Sequence, residues 1–102
     1  MKKYYTVIIS DDATADIDAL VDYIYYEIKE PITALRYHDG LIAAIMELSN
    51  SADIYAESQY DFIQQNYGPN ARHIIYKKMT IIYLIEGDYV YIQRIIAGSL
   101  IH

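Results

Sequence analysis

Four of the eight Lys and Arg residues, Arg72, Lys77, Lys78 and Arg94, fall in the last third of the chain together with His73. Guanidinium and ammonium groups stabilise charge that develops on a phosphate, and they also contact an anionic target. An imidazole can move a proton near neutral pH. Arg72, His73 and Arg94 are therefore the candidate catalytic residues, with no catalytic role assigned to any of them. His73 has no Ser, Asp or Cys partner at a recognisable spacing, so a packed or solvated histidine is the stronger reading of it. Arg94 lies among Val90, Ile92 and Ile96 at period-two spacing. A buried unpaired guanidinium is costly, so Arg94 either pairs with an acid from elsewhere in the chain or reaches the sheet rim to meet a target. Lys77 and Lys78 join Arg72 and Arg94 in one positive patch, or act as ordinary edge and turn lysines. His38 sits on an apolar helical stripe, as a core histidine does, and His102 ends the sequence.

The stretch that must position these groups is RHIIYKKMTIIYLIEGDYVYIQRIIAG, residues 72–98. Its Ile, Val and Tyr content marks consecutive short strands. Lys77-Lys78 marks one turn and Glu86-Gly87-Asp88 a second, where Gly supplies positive φ. A two-residue Gly87-Asp88 turn puts Tyr83 opposite Ile92, and a three-residue turn puts it opposite Tyr91. One residue of slip exchanges the faces, and both registers stay open. Tyr76, Tyr83 and Tyr91 are candidate partner contacts alongside the cations, since Tyr is enriched in interfaces.

Upstream, residues 2–9 predict a strand. Ser10 then caps a helix from about Asp11 to Lys29, its stripe formed by Ile17, Leu20, Val21, Ile24 and Ile28. Asp16, Asp18, Asp22 and Glu27 are expected mostly off that stripe, as a solvated face and not a metal site. Pro31 opens a second helix to about Leu48, with Ala34, Leu35, His38, Leu41, Ile42, Ile45 and Leu48 as its stripe and Gly40 allowing close helix packing. Residues 51–71 predict an irregular connection with room for a short strand or helical turn, anchored by Tyr60, Phe62 and Ile63, with a turn at Tyr67-Gly68-Pro69-Asn70. The expected fold is α+β: an N-terminal strand, an α-helical hairpin, then a mostly antiparallel three-strand meander, with the helices on one sheet face.

At 102 residues the chain is sized for a single domain, residues 1–102, and 54% hydrophobic composition allows a real core. The absence of Cys excludes disulfides and zinc–thiolate sites and fits the cytoplasm. No apolar run approaches the ~20 residues of a membrane span. A net charge of −6 lowers the expectation of nucleic acid as main ligand. No cofactor or metal site is expected. Thirteen tyrosines against one Phe suit half-buried or interface positions, and a homodimer is compatible with them.

The element order and three stretches resemble the RelE/ParE toxin superfamily, and its ParE-like, plasmid-stabilisation branch most. The first stretch is Ala13 with Asp16-Ile17 after an early strand. The second is the ALRYHDGLIAAIMEL helix. The third is residues 72–98, with Arg72 leading a strand, Ile82-Tyr83, the acidic turn Glu86-Gly87-Asp88, and Arg94 near the end of the last strand. The resemblance implies a bacterial type II toxin neutralised by a cognate antitoxin. ParE-like members are implied to inhibit DNA gyrase by protein–protein contact. The RNA-cleaving RelE branch usually carries a Tyr-Arg pair, a terminal-strand His and a basic run. The matching positions here are Met79-Thr80, Ala97 and Ser99-Leu100-Ile101, none of them cationic. That argues against enzymatic RNA cleavage. A RelE-like ribosome-dependent mRNA interferase and a diverged, non-toxic binding module remain the alternatives.

Overall fold

The computed structural model describes residues 4–101. β1 (Thr6–Ile9) leads into α1 (Asp11–Asp22), which continues as a π-helical turn, Tyr23–Glu27. Then come α2 (Pro31–Met46), the short α3 (Leu48–Ser51) and α4 (Asp61–Tyr67). The strands β2 (Arg72–Tyr76), β3 (Met79–Glu86) and β4 (Tyr89–Ala97) come next, and a 3₁₀ turn spans Gly98–Leu100. The sheet has four strands in the order β1-β4-β3-β2; β1 runs parallel to β4 and the other pairs are antiparallel. The α+β expectation holds.

Several expected boundaries shift. The first strand is assigned only from Thr6, and residues 2 and 3 of the expected strand lie outside the described residues. The first helix leaves α geometry after Asp22, seven residues short of Lys29. Lys29 then takes a left-handed φ of 62° at the helix end, a place usually given to Gly. The second helix breaks at Glu47, so Leu48 begins α3. The connection carries a short helix, Asp61–Tyr67 (α4), and a strand-like bridge from Glu57 to Arg72, as the sequence allows.

Two cores sandwich the sheet. On one face, Ile17 of α1 and Leu41 and Ile45 of α2 pack with Ile81, Tyr83, Val90, Ile92 and Ile95. On the other, α4 brings Ile63 against Ile82 and Ile101, with Phe62, Leu84 and Ile96 alongside. The helices therefore do not all share one face: the hairpin takes one side and α4 part of the other. Gly40 serves the sheet and not a second helix. A Cβ there would lie 1.9 Å from the Tyr76 hydroxyl, so its absence lets that phenol rest on α2.

The β3–β4 turn has two residues, since Glu86 faces Tyr89, and Tyr83 therefore lies opposite Ile92. A β-bulge comes directly after. Tyr83 pairs with Ile92 but Ile82 pairs with Arg94, which leaves Gln93 unmatched. The bulge shifts the phase of β4, so Ile95 and not Arg94 continues the helix-side row of Val90 and Ile92. Helix α1 satisfies the disturbed backbone. Ser10 Oγ donates to the Gln93 carbonyl at 3.0 Å while accepting from its cap partner Ala13 N. Asp16 Oδ2 accepts from Ile95 N at 2.9 Å.

Candidate functional site

Arg94 is committed to the scaffold. Its Nε and Nη2 donate to Asp16 Oδ2 and Oδ1 at 2.7 and 3.0 Å, a bidentate pair. The Asp16 hydrogen bond holds the guanidinium above its already high range. Asp16 lies in the same row as Ala13, Ile17 and Leu20, not off the stripe, and that spacing was the signal available for a tethered carboxylate.

Arg72 is half-buried and pairs opposite Tyr83, so it belongs to the hairpin side of the sheet. Its Nη1 donates to the Tyr55 carbonyl. Lys77 and Lys78 are exposed at the β2–β3 turn, both with positive φ, 43° and 72°, and Lys77 Nζ stands 5.7 Å from the Tyr76 ring centroid. Arg94 pairs across from Ile82, which pairs with His73, so Arg94 and His73 share the other face two strand spacings, about 10 Å, apart. The expected single positive patch is thus dispersed over two faces and a turn.

His73 does have a serine partner. Its Nδ1 lies 3.0 Å from Ser58 Oγ, and its ring is 5.1 Å from that of Tyr60. Ser58 lies in the connection, where no period identified it. It is 2% exposed and held on both sides, accepting at Oγ from Tyr60 N and at its carbonyl from Gln64 Nε2. This pair pins the connection to β2. Burial pushes the His73 pKa down. His38, expected in the core, is instead half-exposed, with Nδ1 3.3 Å from Asp39 Oδ1.

Tyr83 is the largest fully buried side chain; its hydroxyl donates to the Ala52 carbonyl at 2.7 Å and burial raises its pKa far above the tyrosine range. It is therefore a core residue and no partner contact. Tyr76 is half-buried against Tyr37, with ring centroids 5.6 Å apart. Tyr91 is half-buried 6.0 Å from the Tyr89 ring.

A cleft of about 480 Å³ opens where β2, the β2–β3 turn and the chain after β4 meet. Tyr60, Ile75, Met79, Ala97 and Ile101 give it apolar walls, and Lys78 is its one charged residue. Thr80, Gly98 and Ser99 complete it. Gly98 closes the corner, since its N–H donates to the Lys78 carbonyl at 2.8 Å and a Cβ would meet that oxygen at 3.2 Å. Positions 80, 97 and 99, where an RNA-cleaving relative would place Arg, His and the basic run, thus share one pocket. Beside it, β2 is an edge strand, and Ile75 is 63% exposed. Among the described residues no three His, Cys, Asp or Glu side chains converge as a metal site would require, and no helix is long and apolar enough to cross a membrane.

The cleft is walled mainly by apolar side chains and carries one cation, Lys78. No curated protein matches the chain. A solved structure described as "Chromosomal ParDE TA system from P. aeruginosa" aligns with a TM-score of 0.74 over 92% of this chain and 96% of that one, at 20% identity, a likeness of fold. The family model of the ParE toxin of type II toxin–antitoxin systems, parDE, matches residues 7–100. The chain belongs to the ParE toxin family of type II toxin–antitoxin systems.

Proposed function

We propose that this chain is a toxin that acts by gripping a protein target, with DNA gyrase the target its family resemblance implies, and that a cognate antitoxin neutralises it in the bacterial cytoplasm. The observation that carries this reading is the pocket at Thr80, Ala97 and Ser99, whose walls are apolar where RNA cleavage would need cations. RNA cleavage requires stabilised phosphorane charge and a proton for the leaving oxygen. Lys78 alone among the pocket residues is charged, and Arg94 is neutralised by Asp16. The antitoxin would bring an apolar strand or amphipathic helix to the open β2 edge, with a side chain in the cleft and main-chain bonds to the edge. With an antitoxin that is acidic like this chain, charge attraction is lacking and that contact would be mainly apolar and aromatic.

Inducible expression in a bacterium, with and without the neighbouring small reading frame, tests the reading. Growth should stop without that frame and recover with it, and the purified protein should block plasmid supercoiling by gyrase. Unaffected growth under both conditions would remove the toxin reading. Transcripts cut in a translation extract, with supercoiling intact, would establish the interferase instead.

A further inference from the structure

The tip of the helical hairpin carries six large apolar or aromatic side chains left exposed, with the Tyr25 and Tyr26 rings 4.8 Å apart. Tyr23, Tyr25, Tyr26, Ile28, Ile32 and Leu35 are each between 45% and 66% exposed. Concentrated exposure of this kind marks interaction surfaces, whereas scattered single residues do not. The local backbone makes the cluster. In a continuous α-helix Ile28 would join Ile17, Leu20, Val21 and Ile24 on the core stripe. The π-helical turn at Tyr23–Glu27, closed by Ile28 N donating to the Tyr23 carbonyl at 3.2 Å, breaks that phase, and Ile28 ends 49% exposed. Each inserted residue rotates the remainder of the helix by about 100°. The π turn itself buries none of its residues. A rare, widened turn that packs on α2 yet fully buries none of its residues points to a use outside the fold, and π-bulges concentrate at functional sites.

The charges at the tip select the occupant. Asp18, Asp22, Glu27 and Glu30 are exposed around the cluster, against the two cations Lys29 and Arg36. A second copy of this chain would set the same acidic rim against itself. A partner with an apolar socket rimmed by Lys and Arg complements it in both respects. We propose that the hairpin tip is the surface that grips the toxin's target, a protein with such a basic-rimmed apolar socket. This rests on the protein-binding reading above, and it separates target contact from the cleft on the other sheet face, left to the antitoxin.

The test is separation of the two functions in the full chain. Tyr23→Ala/Tyr26→Ala/Ile32→Ala should need roughly tenfold or more inducer to arrest growth, since buried Tyr anchors dominate interface energy. Its thermal unfolding and its co-purification with the product of the neighbouring small reading frame should be unchanged. The charge variant Glu27→Lys/Glu30→Lys keeps the apolar cluster and guards against a folding defect in the first. It too should arrest growth less. Full arrest by both variants overturns the tip assignment while leaving the toxin reading intact. Loss of co-purification by a stably folded variant overturns it as well, because the tip would then be antitoxin surface. A wild-type chain that does not arrest growth removes the toxin reading and the tip assignment together.

Discussion

On the hairpin side of the sheet Ile81, Tyr83, Val90 and Ile92 are fully enclosed, while on the other side Ile8, Ile75 and Tyr89 of the same sheet remain 38%, 63% and 45% exposed. The strand chemistry is alike on both faces. Their cover differs: two amphipathic helices with long apolar stripes close the first, and α4, seven residues long, closes only the part over Ile82. One face is closed by the hairpin, and the other keeps apolar surface exposed. The contrast is quantitative and can be broken by substitution.

The largest effect is expected at Leu41 or Ile45, both 0% exposed. Changing either to Ala should lower unfolding stability by about 3 kcal/mol, because the packed core cannot collapse into the space. Ile75→Ala on the open face should change it by less than about 0.5 kcal/mol. Urea denaturation of both variants decides the point. Equal losses would mean that the faces are equally load-sharing and the open one is no free surface.

Asp16→Ala comes next. It removes two hydrogen bonds to Arg94 and the acceptor for Ile95 N. The Arg94 side chain is 39% exposed, so water recovers part of the loss. About 2 kcal/mol is expected, mostly from the backbone N–H left at the bulge. Arg94→Gln should cost less than Asp16→Ala, since Asp16 keeps its bond to Ile95 N. The reverse order would make Arg94, not the bulge, the group that Asp16 serves.

Gly40→Ala should be destabilising by about 1 kcal/mol despite Ala's better helix propensity, because the new methyl group displaces the Tyr76 hydroxyl. In a Tyr76→Ala background the same change should become stabilising. A double-mutant cycle without that change of sign would show that Tyr76 is not what holds position 40 to Gly.

These sites also mark how far the sequence was legible. Helix stripes, the Ser10 cap and the strand-rich C-terminal region depend on local periods and turn chemistry, so the element order and fold class could be read directly. The Gln93 bulge has no such local signature. It changes which face Arg94 and Ile95 take, so the site geometry built on period-two counting failed there. The π turn likewise broke a period that ran cleanly through Ile28. Ser58 reaches His73 across an aperiodic connection, and only the folded chain brings the two together. The family resemblance picks out the positions lacking cations, but their meeting in one cleft depends on the 3₁₀ turn after β4.

The smallest effect concerns that connection and is a matter of pH. Burial lowers the His73 pKa, so the folded state holds fewer protons at this site than the unfolded chain, whose histidine titrates near 6.5. Its contribution is fully present above that pH. Stability is lost as pH falls from about 6.5 toward the depressed folded value, where protonation charges a ring packed on Tyr60 and, if Nδ1 accepts from Ser58 Oγ, costs that bond as well. The melting temperature should therefore fall between pH 7.5 and 5.5, and His73→Gln should flatten that fall. The half-exposed His38→Gln serves as control, since its ring lies on the hairpin beside Asp39. If His73→Gln leaves the acid slope unchanged while His38→Gln flattens it, the proton-sensitive contact sits on the hairpin side and the connection over the open face is held by Ser58 and Gln64 alone.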